Sequence, residues 1–127
     1  MARRILSLGE KCVISFLLRA ANKDDDYISK FLLETQCYEM NDGGMGSIRF
    51  LPPGNIDDNR TFGDEISSCR FTDADGVMVS AALYVDTFGS PLELDVWKVD
   101  FSRLLRMPTD SGELVLDAHF KGKIGIS

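Results

Sequence analysis

Carboxylates and a lysine stand close together in Glu93-Leu94-Asp95-Val96-Trp97-Lys98. Metal-dependent nucleases use these residue types to hold a metal and its water. Spacing decides against that chemistry here. Side chains two apart on a strand share a face and those three apart do not, so Glu93 and Asp95 lie together while Lys98 points to the other side. A charged rim on a core strand is the plainer reading. A metal-dependent enzyme using Asp73, Asp75, Glu93 and Asp95 stays as the third alternative. Asp73-Ala74-Asp75-Gly76 opens like a calcium loop, but Val77 stands where the next oxygen ligand belongs and Tyr84 where the closing glutamate belongs, so the stretch predicts a tight β-turn. Asp42-Gly43-Gly44-Met45-Gly46-Ser47 has three glycines whose N–H groups could face an anion. It lacks the Gly-Lys-Ser/Thr ending of a phosphate loop and no helix follows, so a hairpin or bulge is expected.

Nucleophilic catalysis would have to use His119, the one histidine, and no Gly-x-Ser-x-Gly elbow accompanies it. Three cysteines, Cys12, Cys37 and Cys69, sit in hydrophobic stretches without a Cys-x-x-Cys neighbour. They predict buried thiols in a reducing compartment, with neither a disulfide framework nor a zinc site. The expectation is a chain with no catalytic constellation, no metal and no cofactor.

The formal net charge is -6 and the 14 Lys and Arg residues are scattered. Nucleic-acid binding needs a basic face, so the balance points away from it and towards a basic protein partner. Acidity alone also serves solubility, which needs no partner. Arg3 and Arg4 precede an apolar-looking run that Glu10 and Lys11 interrupt. The uncharged remainder, residues 12–18, is at the short edge for a signal peptide and far too short for a membrane span, so a cytoplasmic protein is expected.

With 127 residues, 44% of them hydrophobic and 27% charged, one globular domain over 1–127 is the natural expectation. Ser7 and Glu10 form a capping box, and Val13, Phe16, Leu17 and Ala20 follow at helical spacing, which predicts a helix over 8–21. A polar break at 22–26 leads to a second helix with Tyr27, Ile28, Phe31 and Leu32, ending near residue 35. Strands are predicted at 37–40 and 47–51, separated by the Asn41-Asp42-Gly43-Gly44 turn. Residues 64–72, the alternating Val77, Val79, Ala81, Leu83 and Val85, and Leu92, Leu94 and Val96 predict a three-stranded antiparallel meander. Trp97 and Val99 fall on the opposite face of its last strand, which is therefore expected to be covered on both sides. A helical turn at 101–106 and a last strand within 113–120 complete the reading. The fold class is α+β: two N-terminal helices packed on a mostly antiparallel sheet of four to six strands.

Two segments carry a resemblance. Met40-Asn41-Asp42-Gly43-Gly44-Met45-Gly46-Ser47 and Glu93-Leu94-Asp95-Val96-Trp97-Lys98-Val99-Asp100-Phe101-Ser102, with the opening Leu6-Ser7…Glu10-Lys11, resemble a family of small bacterial domains of unknown function. The family implies no activity to transfer. In type rather than motif, size and acidity are similar to immunity proteins of bacterial toxin–immunity pairs. The leading expectation is a non-enzymatic protein-binding domain, most concretely an immunity protein that occludes the active site of a basic toxin domain. Asp86, Glu93, Asp95 and Asp100, with Asp57 and Asp58 on a long loop, are the expected partner contacts, and Trp97, Tyr84, Phe88 and Phe101 supply rings that could anchor an interface. The alternative is a small-ligand or accessory domain with a pocket between helices and sheet, lined by Gly43, Gly44, Gly46 and Arg49.

Overall fold

A short extended segment, β1 (Arg4–Ile5), leads into α1 (Leu8–Ala20) in the computed structural model, which describes residues 2–51 and 59–117. The expected capping box is present: Ser7 Oγ accepts from the Glu10 N–H at 3.1 Å, and the Ser7 N–H donates to Glu10 Oε1 at 2.8 Å. Arg4 adds a fork, with two guanidinium nitrogens each 2.8 Å from a Glu10 oxygen. Burial pushes the Glu10 carboxyl up, but Arg4 and Ser7 outweigh it and hold the group below its ordinary value. The start of α1 is thereby fixed to β1. Asp24 caps α2 (Asp25–Glu34), accepting from the Tyr27 N–H at 2.8 Å.

The remaining strands are β2 (Gln36–Glu39), β3 (Ile48–Leu51), β4 (Phe62–Thr72), β5 (Met78–Asp86), β6 (Pro91–Lys98) and β7 (Val115–Leu116). They join β1 in one sheet of order β1-β2-β3-β6-β5-β4-β7, with every pair antiparallel. The architecture is α+β, and β4, β5 and β6 are the expected meander. Seven strands exceed the expected four to six because β1 has two residues, too few to show a period in sequence, whereas β7 falls within the last strand expected at 113–120. On one face of the sheet Val79, Ala81 and Leu83 of β5 stand beside Leu94 and Val96 of β6 and share one hydrophobic cluster with Val13, Ile14, Leu17 and Leu18 of α1. Ser67 of β4 donates its hydroxyl to Leu17 O at 2.8 Å, so the end of α1 and the sheet are also joined by a buried hydrogen bond.

Two further expectations are corrected. Residues 101–106 do not form a helical turn. Phe101 has φ 64, and the N–H groups of Leu105 and Arg106 donate to the Asp73 carboxylate at 2.8 and 3.0 Å, not to a preceding carbonyl. The segment is a strap running from the end of β6 across the neighbouring strand ends, bonded to Gly44 and to Asp73. On the second face of β6, the covered side chain is Glu93, whereas Trp97 is 47% exposed and Val99 is also exposed. The far end of that face is open.

Candidate functional site

The face of the sheet turned away from α1 is built by strand parity. Arg49 pairs in register with Glu93, Glu93 with Tyr84, Asp95 with Ala82 and Trp97 with Ser80. Alternation keeps all of these side chains on one side. Arg49 Nη1 lies 2.7 Å from Glu93 Oε2, and Glu93 is only 3% exposed. Asp95 is half-buried next to it. Its carboxyl is pushed up to about 7, first by burial and then by the hydrogen bond and negative charge of Glu93, with Asp42 adding to the effect. Tyr84 donates its hydroxyl to Glu65 Oε1 at 3.3 Å. Burial raises the Tyr84 phenol, and the carboxylates of Glu65, Asp95 and Glu93 raise it further.

At the end of β6 this face becomes apolar and open. Met78, Trp97, Val99 and Phe101 are all exposed, Phe101 at 69%. The Trp97 and Phe101 rings meet edge to face, with centroids 6.0 Å apart. The Val99 N–H donates to Met78 O at 3.1 Å, which sets Met78 beside the same corner. Asp100 lies between Val99 and Phe101, exposed, and accepts from Ser102 N–H and Oγ at 3.0 and 2.6 Å. Those bonds hold its carboxyl below the ordinary value. The corner thus joins two rings, two aliphatic side chains and a carboxylate that remains charged.

Both stretches that look like ion loops are filled by the chain itself. In the glycine loop, Asp42 accepts from the N–H groups of Gly44, Met45 and Ser47 at 3.2, 3.1 and 2.9 Å. Gly43, Gly44 and Gly46 have φ of 78, 81 and 108, so the expected glycine conformations are real, but the anion they cradle is Asp42. In the Asp73-Ala74-Asp75-Gly76 turn, the cation is Lys98. Its ammonium lies 2.8 Å from Asp73 Oδ2, 2.6 Å from Asp75 Oδ2 and 3.0 Å from Arg103 O, with its side chain fully buried. Burial would lower the Lys98 pKa, yet the bonds to the two aspartates outweigh it and the pKa is raised. Burial likewise pushes Asp73 up, while Lys98 and the N–H groups of Leu105, Ala74 and Arg106 bring it below its ordinary value. Lys98 does point away from Glu93 and Asp95, as parity predicts, and into a carboxylate node that parity cannot reveal.

The expected partner residues separate accordingly. Asp95 and Asp100 lie on or beside the open face. Glu93 does not offer a free carboxylate, because it is buried against Arg49. Asp86 is also buried and serves its own turn, accepting from the N–H groups of Phe88 and Ser90 at 2.8 and 3.0 Å. Phe88 is exposed at that turn, away from the Trp97 corner. Asp57, Asp58 and His119 lie outside the described residues. The glycines and Arg49 do not share a pocket between helices and sheet: Gly44 and Gly46 border a cleft with Arg4, Glu10 and Arg103, while Arg49 belongs to the opposite sheet face. The groove beside α2 is a different place, of about 440 Å³, lined by Tyr27, Phe31, Phe50, Arg60, Asp86 and Pro91 among others. Sequence reasoning missed Met78 and Val99 as surface residues; their position after or before a turn at a sheet end was the available signal.

Among the described residues no helix is long and apolar enough to cross a membrane, and no three His, Cys, Asp or Glu side chains are grouped to hold a metal ion. No curated protein and no solved structure matches the chain. Residues 3–108, which include the capped α1, the glycine loop, the open sheet face and the strap, match the family described as Domain of unknown function (DUF6984), and the chain belongs to that family.

Proposed function

We propose that this chain is a non-enzymatic protein-binding domain, most concretely an immunity protein that neutralises a basic toxin domain in the bacterial cytosol by covering its active site. The observation that carries the reading is the open corner of the sheet, where Trp97, Phe101, Met78 and Val99 are exposed together beside Asp95 and Asp100. Exposed aromatic anchors ringed by charge are what an interface centre needs, and a net charge of -6 favours encounter with a basic surface. The docked partner would lie across the outer face of β5 and β6 and exclude substrate from its own cationic cleft. The test is growth rescue. The polypeptide encoded beside this chain is induced with either the wild-type chain or the Trp97→Ala/Phe101→Ala double variant. Rescue by wild type and its loss in a folded double variant is the expected result. A harmless neighbour, or equal rescue by both chains, removes the reading.

The groove beside α2 favours a second reading, a small-ligand or accessory domain. Its Tyr27, Phe31, Phe50 and Pro91 walls suit a flat apolar group, with Lys30 and Arg60 at its border.

A further inference from the structure

We infer that the group this surface receives is an arginine side chain of the partner, laid over Ser80 and Ala82 between Trp97 and Asp95; the inference rests on the protein-binding reading above. The outer face of β5 reads Met78, Ser80, Ala82, Tyr84, so two small residues lie between two large ones. Register places Trp97 against Ser80 and Asp95 against Ala82, on the neighbouring strand. A trough results, floored by small side chains, with a ring and a carboxylate along one wall. All four of these side chains are at least partly exposed, and no helix of the described residues covers them.

The chemistry of the trough selects its occupant. Trp97 offers a π face and Asp95 two oxygens about two strand residues away, roughly 7 Å along the strand. An arginine stem can lie along the ring while its planar fork reaches the carboxylate; a lysine provides a point charge without the stacking plane. Charge also calls for a cation from outside. Glu93 and Asp42, which act on Asp95, are both negative, and Arg49 on β3 is engaged with Glu93. On β5 Tyr84 faces the same site, with Glu65 of β4 behind it, and Arg70 of β4 lies 3.7 Å from Asp117. A guanidinium at Asp95 offsets the burial and the neighbouring negative charge that together keep this carboxyl near 7. The ionised form binds the cation, so affinity rises as pH increases through 7.

The sole tryptophan, Trp97, reports on its own site. Capped tetra-arginine, tetra-lysine and tetra-citrulline peptides are titrated while Trp97 emission is followed. The expected result is a saturable change with tetra-arginine, weaker with tetra-lysine and absent with tetra-citrulline. Affinity for tetra-arginine falls by about tenfold between pH 8 and pH 6, as the competent ionised fraction falls. Asp95→Asn abolishes that pH dependence, and Ala82→Leu, which fills the trough and keeps the carboxylate, abolishes the emission change; circular dichroism confirms that both variants are folded. An unmoved Trp97 spectrum in tetra-arginine, or a pH dependence that survives in Asp95→Asn, overturns the inference. The growth assay separates it from the wider reading. Rescue that is intact in Asp95→Asn and Ala82→Leu but lost in Trp97→Ala/Phe101→Ala overturns the arginine seat alone. A tetra-arginine response with a harmless neighbour overturns the immunity role alone.

Discussion

Asp95 stands in an environment that works against its own ionisation. Burial comes first and the adjacent Glu93 second, and together they lift its carboxyl from 3.8 to about 7. Because the folded value lies above the unfolded one, the stability linked to this group is fully present below about pH 4 and is lost as pH rises through 7. Asp95→Asn removes that loss. The variant is expected to be more stable than wild type at pH 8 by about 1–2 kcal/mol, a figure discounted for the partial exposure of the site, and to show no such gain at pH 4. Urea unfolding at the two pH values measures the difference, and an equal effect at both would mean that charge is not its cause. Much of this was legible in the sequence: parity alone puts Glu93 and Asp95 on one face. The burial of Glu93 was not, because Arg49 comes from a strand more than forty residues earlier and only the β3–β6 register brings the two together.

The strap after β6 shows how far local pattern carries at the scale of elements. The capping box, the glycine turn and the alternation of β5 were readable because each is made by neighbours in sequence. Residues 101–106, ahead of Pro108, read as a helical turn, but the backbone there answers to distant groups. Lys98 binds Arg103 O, Asp73 takes the N–H groups of Leu105 and Arg106, and the Leu104 N–H donates to Gly44 O at 3.0 Å. One buried ammonium thus connects the β4–β5 turn, the end of β6 and the strap that presents Phe101. Lys98→Met keeps the length of the side chain and removes the charge, leaving Asp73 buried without its cation. Uncompensated buried charge is among the most destabilising changes available, so the melting temperature is expected to fall by roughly 10–20 °C. Amide exchange at Leu105 and Arg106 should quicken with it, while amides of α1 change only as much as global stability does. A melting temperature within a few degrees of wild type would show that the node does not hold the strap.

At the scale of the molecule, the sheet ends in two-residue strands, β1 and β7, and β7 pairs only Cys69 and Arg70 of the eleven-residue β4. The exposed rings stand on the outer face of β6 and on the strap, so the proposed binding uses a face instead of an edge. The core below is continuous from α1 through the middle of the sheet, and two of the three cysteines lie within it. Burial drives the Cys37 thiol up to about 11 and the Cys69 thiol up to about 12, so neither supplies much thiolate near neutral pH. Cys12 sits on α1 at partial exposure, its thiol raised by burial and by Asp110 and Glu113. Sites that open only when the whole domain unfolds react at a rate set by the global equilibrium, whereas partly exposed sites react from the native state. Iodoacetamide at pH 8 should accordingly modify Cys12 first, with Cys37 and Cys69 modified together and much more slowly, and with their rates rising in parallel as urea is added. Peptide mass mapping of the alkylated chain separates the three positions. If Cys37, next to the short edge strand β1, reacts well ahead of Cys69, then the β1–β2 edge opens independently and the two halves of the sheet are not one cooperative unit.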